Sequence, residues 1–378
     1  MSATRLCLST LFTAGGLLAD RDGDGLPDAL RARLIVDERA RLPEHQAALD
    51  LAARLGFETL ALSLPLAAAD ISAAAGDAVP IFLGRPDTLP AACPAALRAA
   101  LSGLRPADGL VMVGPDTAPA VLVAGADDAG LADAVRLVAA YFPALSGDSA
   151  RGDTLAELRE GVRILCGGEA SPIIEALVTH GGEVVEARMR VAAPQNASPQ
   201  RLLLAGLGLP YDLTIILEAE DGSGSSTVRL GATVHTETGE IKPAAPAVTP
   251  PPLRSLAGLF GPNGLSVDDD GDLLPEIPRT HIALPDDLSP HEAAAAIDLA
   301  ARLGLESLGL GLPLALQPGD APVKPGHITI AIEPLGGSAA RDLGAGEGDV
   351  RLLEGADGAS TVRVTGGDAD GAFGHCEH

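Results

Sequence analysis

A nine-residue stretch near the amino terminus, residues 20–28, carries four aspartates whose spacing suits a divalent cation. The aspartates stand at its first, third, fifth and ninth positions, a glycine at the sixth position allows a tight turn, and a backbone carbonyl is available at the seventh. Calcium takes about six to eight oxygen ligands, and loops with this spacing wrap a single ion. The predicted calcium ligands are Asp20, Asp22, Asp24, the carbonyl of Leu26, and Asp28.

The same loop occurs a second time in the chain. Residues 11–66 align without a gap to residues 259–314, with 27 identities in 56 positions, which indicates duplication of a structural unit. The second loop has Leu273 where the first has Gly25, and a side chain is costly in a left-handed turn. The second loop is therefore predicted to have a different backbone conformation or to bind calcium more weakly. Its predicted ligands are Asp268, Asp270, Asp272, the carbonyl of Leu274, and Glu276.

The twelfth position of each loop excludes an EF-hand, because Arg31 and Arg279 stand where that motif places a bidentate glutamate. The stretch instead resembles the DxDxDGxxD loops of thrombospondin type 3 repeats and dockerin-like modules, which implies a structural calcium ion. A metal-free alternative is that the arginine neutralises the clustered carboxylates by ion pairing. If calcium binds, we expect a structural role, since the loop offers no adjacent histidine or nucleophile to use a polarised water.

The composition limits the possible partners. With 26 basic and 51 acidic residues the net charge is −25, which repels nucleic acid and anionic membrane surfaces. No run of 18 apolar residues is present to span a membrane. The four cysteines lie far apart in no metal-binding spacing, and we expect buried free thiols at Cys7, Cys93, Cys166 and Cys376.

The elements that must position the loops predict an α/β (α+β) fold. Each copy reads as acidic loop, strand, helix, two strands, helical spacer and two further strands, which predicts a small layered unit with a mixed sheet. Apolar residues between Ala47 and Leu55 recur at helical spacing, and Gly56 fits the glycine that follows a helix end. In copy 2, Ser289 and Glu292 predict a capping box.

The length of 378 residues predicts more than one core. Copy 1 is assigned to residues 1–147, a smaller α+β domain to 148–241, a Pro-rich linker to 242–252, and copy 2 to 253–378. In the middle region the pattern predicts a strand within 161–168, a helix within 171–182, a strand over 183–192, and two strands joined by a Gly/Ser turn within 211–237.

Copy 1 ends in an amphipathic helix predicted from Asp128 onward, whereas the corresponding segment of copy 2 does not continue as a helix. We therefore expect a protein partner or a further domain to cover the copy 2 sheet, or the chain to form a homo-oligomer. Asp127 and Asp128 follow a strand and are expected to cap that helix. Asp50 with Arg54, and Asp298 with Arg302, are predicted to form solvated ion pairs.

Residues 119–142 resemble the closing strand and helix of accessory α/β domains found in several glycoside hydrolases and in a cellulose-synthase partner subunit. The resemblance implies a non-catalytic module that packs on, or presents a surface to, another protein. Our leading hypothesis is a non-catalytic scaffold or interaction protein. The alternative is an enzyme, or the amino-terminal part of a larger hydrolase, with a site at strand ends between domains. Location stays open, because the uncleaved amino terminus favours the cytoplasm and the calcium-type loops favour an extracellular or periplasmic setting.

Overall fold

The structure is a computed structural model. It describes residues 6–68, 78–115, 117, 119–141, 159–164, 172–192, 194, 213–230, 252–259, 261, 264–267, 277–307, 309–316, 327–335, 342–354 and 360–368. Over these residues the fold is α/β with mixed sheets, as the sequence predicts. Within the same residues, no helix has the length and apolar character needed to cross a membrane.

Copy 1 forms a five-stranded mixed sheet in the order β4-β3-β5-β7-β6, in which only β6 runs antiparallel to its neighbour. A short hairpin, β1 with β2, precedes it and carries the first acidic loop. The elements are β1 Leu18–Ala19, β2 Ala29–Leu30, β3 Ala32–Val36, α1 Leu42–Phe57, β4 Ala67–Ala68, β5 Val79–Gly84, α2 Ala95–Ala100, β6 Asp108–Val113, β7 Val121–Gly125 and α3 Asp128–Arg136.

The middle region adds four strands to this sheet, β8 Ile173–His180, β9 Glu183–Val191, β10 Leu213–Ala219 and β11 Ser225–Leu230. β8 pairs antiparallel with β6, so over the described residues the sheet has nine strands in the order β11-β10-β9-β8-β6-β7-β5-β3-β4. The strand over 183–192 and the last two strands are confirmed.

Two predictions for the middle region are wrong. The segment within 171–182 is the strand β8 and not a helix. Residues 159–164, which include the first four positions of the predicted strand, are helical, and its positions 165–168 lie outside the described residues. Ile174, Leu177 and Val178 have helical spacing in the sequence, but a register irregularity in the pairing of β8 with β9 lets Ile174 and Leu177 both reach the core. Short apolar runs fit either period, and pairing with the free edge of β6 decides between them.

Copy 2 repeats the strand order of copy 1. Its sheet runs β15-β14-β16-β18-β17, with only β17 antiparallel to its neighbour. The elements are β12 Ser266–Val267, β13 Ile277–Pro278, β14 Thr280–Ala283, α4 Pro290–Leu305, β15 Ala315–Leu316, β16 Ile328–Ile332, β17 Gly348–Glu354 and β18 Ser360–Gly366. The predicted capping box at Ser289 and Glu292 is confirmed. Among the described residues after β18 none is helical.

The main hydrophobic core lies between the two sheets and contains α1, α3 and α4. A second, smaller core covers the other face of the copy 1 sheet, where Phe82 and Leu122 pack against Leu97 of α2. Cys7 and Cys93 are buried free thiols, as predicted, and Cys166 and Cys376 lie outside the described residues. Because β5 and β7 are buried on both faces, their sequences are continuously apolar.

α1 and α4 pack against each other through small residues. A Cβ placed on Gly56 would lie 1.9 Å from the carbonyl oxygen of Ala301, and one on Gly304 would lie 1.9 Å from that of Ala53. Gly56 therefore does not end the helix, which continues to Phe57. The role of Gly56 is to let the backbones of two helices approach closely. The sequence pattern of one helix does not indicate such a contact with another helix. The contact is reciprocal, as at a two-fold interface.

Two aspartates strengthen this junction reciprocally. Asp50 Oδ1 accepts a hydrogen bond of 2.8 Å from the Leu314 amide, and Asp298 Oδ1 accepts one of 2.7 Å from the Leu66 amide. The predicted pairs with the arginines four residues later are wrong, because Arg54 pairs with Glu58 and Arg302 pairs with Glu306. The aspartates instead satisfy backbone amides of the opposite copy.

Candidate functional site

The first acidic loop brings three of its predicted ligands together. Carboxylate oxygens of Asp20, Asp22 and Asp24 all lie within 4.8 Å of one another, with Asp22 and Asp24 exposed to solvent. The stem of the loop is the β1–β2 hairpin, in which Leu18 pairs with Leu30. The position of this stem, one residue before β3, connects the carboxylates to the sheet.

Two glycines wind the loop around these carboxylates. Gly23 and Gly25 have φ of 80° and 91°, in the left-handed region that glycine adopts without strain. Their amides donate to the Asp20 carboxylate at 2.6 Å and 2.9 Å. Both backbone hydrogen bonds lower the pKa of Asp20 below its ordinary value, and the bond from the Gly25 amide has the largest effect. The carboxylate is therefore ionised at neutral pH, as a calcium ligand must be.

The other two aspartates of the cluster accept hydrogen bonds from amides two residues further along the chain. Asp22 Oδ1 accepts from the Asp24 amide at 3.2 Å, and Asp24 Oδ1 accepts from the Leu26 amide at 2.8 Å. Each such turn uses one oxygen of the carboxylate. The negatively charged oxygens of the three aspartates are the kind of ligand that a hard divalent cation prefers.

Asp28 is placed differently from the other predicted ligands. Its Oδ1 accepts a hydrogen bond of 2.8 Å from the Arg21 amide, and its own amide donates to the carbonyl of Ala19. The three-carboxylate cluster does not include it. Asp28 thus ties the two ends of the loop together, while the Leu26 side chain is exposed at the loop surface.

The arginine after each loop hydrogen-bonds to a glycine turn. Arg31 Nη1 donates to the carbonyls of Gly15 at 3.1 Å and Gly16 at 3.4 Å, and Arg279 Nε donates to the carbonyl of Gly264 at 2.5 Å. Gly16 and Gly264 are aligned positions of the two copies. These contacts give the arginine a structural role, namely to fix the turn that precedes the hairpin.

The second predicted loop lies outside the described residues, and with it Asp268, Asp270, Asp272, Leu274 and Glu276. Its stem is described, and β12 pairs antiparallel with β13 in the same register as the stem of the first loop. The two hairpin stems are therefore equivalent.

Asp127 caps α3 as predicted, whereas Asp128 is the first residue of the helix and does not cap it. Asp127 accepts hydrogen bonds from the amides of Gly130 at 3.0 Å and Ala107 at 2.9 Å, which lower its pKa. Asp128 forms an ion pair of 2.8 Å with Arg85, which also pairs with the buried Glu44. Both aspartates are thus tied to neighbouring elements at the amino terminus of α3.

A polar pair that the sequence analysis did not identify joins copy 1 to the middle region. Asp108 is buried, and its Oδ1 lies 2.9 Å from Nδ1 of the half-exposed His180. Burial raises the pKa of Asp108, but hydrogen bonds from Arg105 and His180 outweigh this, and the net pKa is lowered. The preceding residue, Ala107, has a φ of 63°, which is strained for a non-glycine residue. The residues are 72 positions apart, so only strand pairing brings them together.

Two cavities flank the junction of the copies. One, of about 730 Å³, lies between α1, α3 and copy 2, and is lined by Asp50, Arg136 and Pro313 among others. Burial raises the pKa of Asp50 to about 6. The other, of about 240 Å³, includes Pro65 and His45 in its lining. Since Pro65 and Pro313 are aligned positions, the cavities occupy related places.

Comparison with known proteins does not assign a family. No protein-family model matches the chain, and no curated protein matches it. The function is therefore inferred from the geometry of the described residues.

Proposed function

We propose that the chain is a non-catalytic scaffold or interaction protein, built from a duplicated α/β unit whose acidic loops bind structural calcium. The observation that carries the proposal is the grouping of Asp20, Asp22 and Asp24 within 4.8 Å on a loop wound by two left-handed glycines. Three ionised carboxylates at this separation repel one another, and a divalent cation removes that repulsion.

In this proposal calcium acts on the stability of the sheet. Asp20, Asp22 and Asp24 supply carboxylate oxygens, and the Leu26 carbonyl and Asp28 complete the protein's share of the ligands. The loop joins β1 to β2, and β2 is followed after one residue by β3 within the nine-stranded sheet. Fixing the loop therefore fixes the chain where it enters the sheet. The loop of copy 2 has the same proposed role with weaker binding, because Leu273 replaces the glycine.

The partner proposal concerns the copy 2 sheet. In copy 1 the outer edge of β6 pairs with β8, whereas no described strand pairs with the outer edge of the equivalent β17. Val350 and Leu352 on β17 are only partly buried against the main core. We propose that a protein partner, a further domain or a second copy of the chain covers this region.

The enzyme alternative has one observation in its favour, the pair of Asp108 and His180. A buried aspartate that holds a histidine through Nδ1 leaves Nε2 for general-base chemistry. However, a third cavity, of about 720 Å³, lies beside this pair between copy 1 and the middle strands, and it is lined by Asp108 and Arg105 and not by His180. We therefore assign Asp108 to holding the strand ends and retain the scaffold as the proposed function.

Calcium titration tests the proposal. The chelated protein is titrated with calcium by calorimetry, and thermal unfolding is recorded with and without the ion. Binding at a free concentration of about 100 times the dissociation constant adds about 2.7 kcal/mol to stability. Asp22→Asn is expected to remove most of the calcium-dependent shift in Tm.

The matched control is Asp221→Asn. Asp221 lies in the exposed turn between β10 and β11 and accepts a hydrogen bond from the Ser223 amide, as Asp22 does from the Asp24 amide. It is outside the acidic loops, so its replacement should leave the calcium shift intact. A Tm that calcium does not move in the unmodified protein would support the metal-free loop instead.

A further inference from the structure

The outer edge of β17, Gly348–Glu354, carries backbone groups that no described strand satisfies. Across the pair of β17 with β18, the Gly367 amide donates a hydrogen bond of 2.8 Å to the carbonyl of Glu347. Backbone groups alternate in direction along an antiparallel strand, so the odd-numbered residues of β17 bond to β18 and the even-numbered residues face away. The amides and carbonyls of Val350 and its even-numbered neighbours therefore point outward from the sheet, where they can pair with another strand.

Copy 1 shows which kind of strand this edge accepts. Val111 of β6 occupies the position equivalent to Val350 of β17, and it pairs with Leu177 of β8 in an antiparallel arrangement. Val111 and Leu177 are both buried in the main core, whereas Val350 is only partly buried. The equivalent edge of copy 2 thus has the backbone direction and the apolar residue that an antiparallel strand needs.

The side chains that flank Val350 on the outer face carry opposite charges. Asp349 Oδ2 and Arg351 Nε form an ion pair of 2.5 Å within the strand, and the two side chains are 31% and 66% exposed. Opposite side chains of an antiparallel pair lie on the same face of the sheet and contact each other. A strand that pairs with β17 is therefore most favourable when it presents a basic residue to Asp349 and an acidic residue to Arg351.

A second copy of β17 presents these residues when a two-fold axis passes through Val350. Val350 then pairs with Val350 of the second copy, Asp349 pairs with its Arg351, and Gly348 leaves room for its Leu352. Registers change in steps of two residues, because opposite side chains must share a face. A shift of one step places Asp349 against Asp349 in one direction and Arg351 against Arg351 in the other. Charge therefore favours the register centred on Val350 over its neighbours.

We propose that the chain forms a homodimer through β17, in which the two copy 2 sheets join edge to edge into one continuous sheet. Backbone hydrogen bonds from Val350 and its even-numbered neighbours supply the affinity, and the pairs of Asp349 with Arg351 fix the register. Val350 and Leu352, which are partly buried in the single chain, become further buried on the inner face. The inference rests on the proposed function, in which a partner covers the copy 2 sheet, and it identifies that partner as a second copy of the chain.

Sedimentation velocity over a range of concentrations tests the dimer with the full chain. The unmodified chain is expected to dimerise. Asp349→Arg and Arg351→Asp each place like charges opposite each other in both cross-strand pairs, and each should raise the dissociation constant about 10-fold or more. The double variant with both substitutions restores the two opposite-charge pairs and should dimerise as the unmodified chain does. A chain that stays monomeric at every concentration would overturn the proposal.

Mixing the two single variants tests the register. In a mixed dimer the Asp349→Arg chain presents two arginines and the Arg351→Asp chain presents two aspartates, so each cross-strand pair joins opposite charges. The mixture should therefore dimerise more tightly than either variant alone. Arg229→Asp is the control, because it changes the net charge by the same amount as Arg351→Asp at an exposed site on β11, and it should dimerise as the unmodified chain does. A mixture that associates no better than the single variants would contradict pairing in this register and overturn the proposal.

Calcium titration separates this inference from the proposed function. Neither charge variant alters the acidic loop of copy 1, so both should keep the calcium-dependent shift in Tm, and circular dichroism checks that they fold. A monomeric chain that keeps the shift would overturn the second copy as the occupant and leave a different protein or a further domain as the partner. A dimer whose Tm does not respond to calcium would overturn calcium binding and leave the pairing through β17 standing.

Discussion

The outer faces of the two sheets differ although the sheets have the same strand order. On the outer face of the copy 1 sheet, one row of residues that pair across neighbouring strands consists of Ile35, Phe82, Leu122 and Met112. The equivalent row of copy 2 consists of Ala283, Ala331, Arg363 and Arg351. The copy 1 row packs in the second core with Leu97 of α2. The copy 2 row is short or charged, and its arginines pair with Asp349 and Glu333.

The inner faces of the two sheets are similar, and so are the contacts that each copy makes at the junction. Ile81 and Ile330 occupy equivalent positions in the main core, and the two helices and two aspartates contact each other reciprocally. The junction therefore requires the same residues in both copies, whereas the residues on each outer face depend on what covers that face. Copy 1 buries that face and extends its sheet with β8, while the copy 2 face is compatible with water or with a charged partner surface.

The largest expected effect tests this difference between the faces. Leu122→Ala removes buried methyl groups from the second core and should lower the free energy of unfolding by about 3 kcal/mol. Arg363→Ala, at the equivalent position of copy 2, removes a partly exposed ion pair of 3.2 Å and should cost less than about 1 kcal/mol. Urea unfolding of both variants measures the two changes. Equal costs would show that the outer face of copy 2 is packed as tightly as that of copy 1.

A somewhat smaller effect is expected at the junction. Gly56→Ala and Gly304→Ala each place a Cβ against a backbone carbonyl of the opposite helix and force the helices apart. Each should destabilise the protein by about 2 kcal/mol, and by similar amounts, because the contacts are reciprocal. Gly103→Ala is the control, since no atom lies within 4 Å of its Cβ position. Unequal losses for Gly56 and Gly304 in urea unfolding would break the symmetry of the junction.

The smallest effect tests the burial of Asp50 at the junction by varying the pH. Burial raises the pKa of Asp50 to about 6 from 3.8. The folded state therefore holds this proton more tightly than the unfolded chain, so the stability it contributes is complete below pH 3.8 and is lost as pH rises through about 6. Asp50→Asn keeps an oxygen for the Leu314 amide and removes the ionisation.

Asp50 is only half-buried and lines a cavity, so solvent reduces the effect of this shift on stability. The Asp50→Asn variant should be more stable than the unmodified protein by about 1 kcal/mol at pH 8 and nearly equal to it at pH 4. Urea unfolding of both proteins across this pH range measures the difference. Gly103→Ala, which changes no titratable group, is the control and should give a difference that does not vary with pH. A pH-independent difference for Asp50→Asn would mean that Asp50 is solvated in the folded protein.

Much of the fold could be predicted because the signals are local. The capping box of α4 and the helix after Asp127 depend on neighbouring residues, and both are present in the structure. The spacing of Asp20, Asp22 and Asp24 around two glycines likewise predicts a loop that groups its carboxylates. Whether the loop binds calcium stays a prediction.

The wrong predictions concern residues whose structure depends on contacts with distant parts of the chain. Residues 173–180 have apolar spacing that fits a helix, and they form a strand because β6 offers an edge. Gly56 has the spacing of a helix terminator, and it lies at a helix crossing because Ala301 approaches it. Asp50 has an arginine four residues later, and it bonds to Leu314 because the copies meet there.

The sequence by itself determined that the fold is α/β and that a block of 56 positions occurs twice, each time with an acidic loop. Those features follow from residues close together in the chain, whose turn geometry and periodicity depend little on distant contacts. Only the tertiary structure decided that the units meet through α1 and α4, that the middle strands extend the first sheet, and that His45 lines a cavity between the copies. These depend on residues 64 or more positions apart in the chain, and the free energy of such contacts is set by burial and fit, which no local pattern encodes.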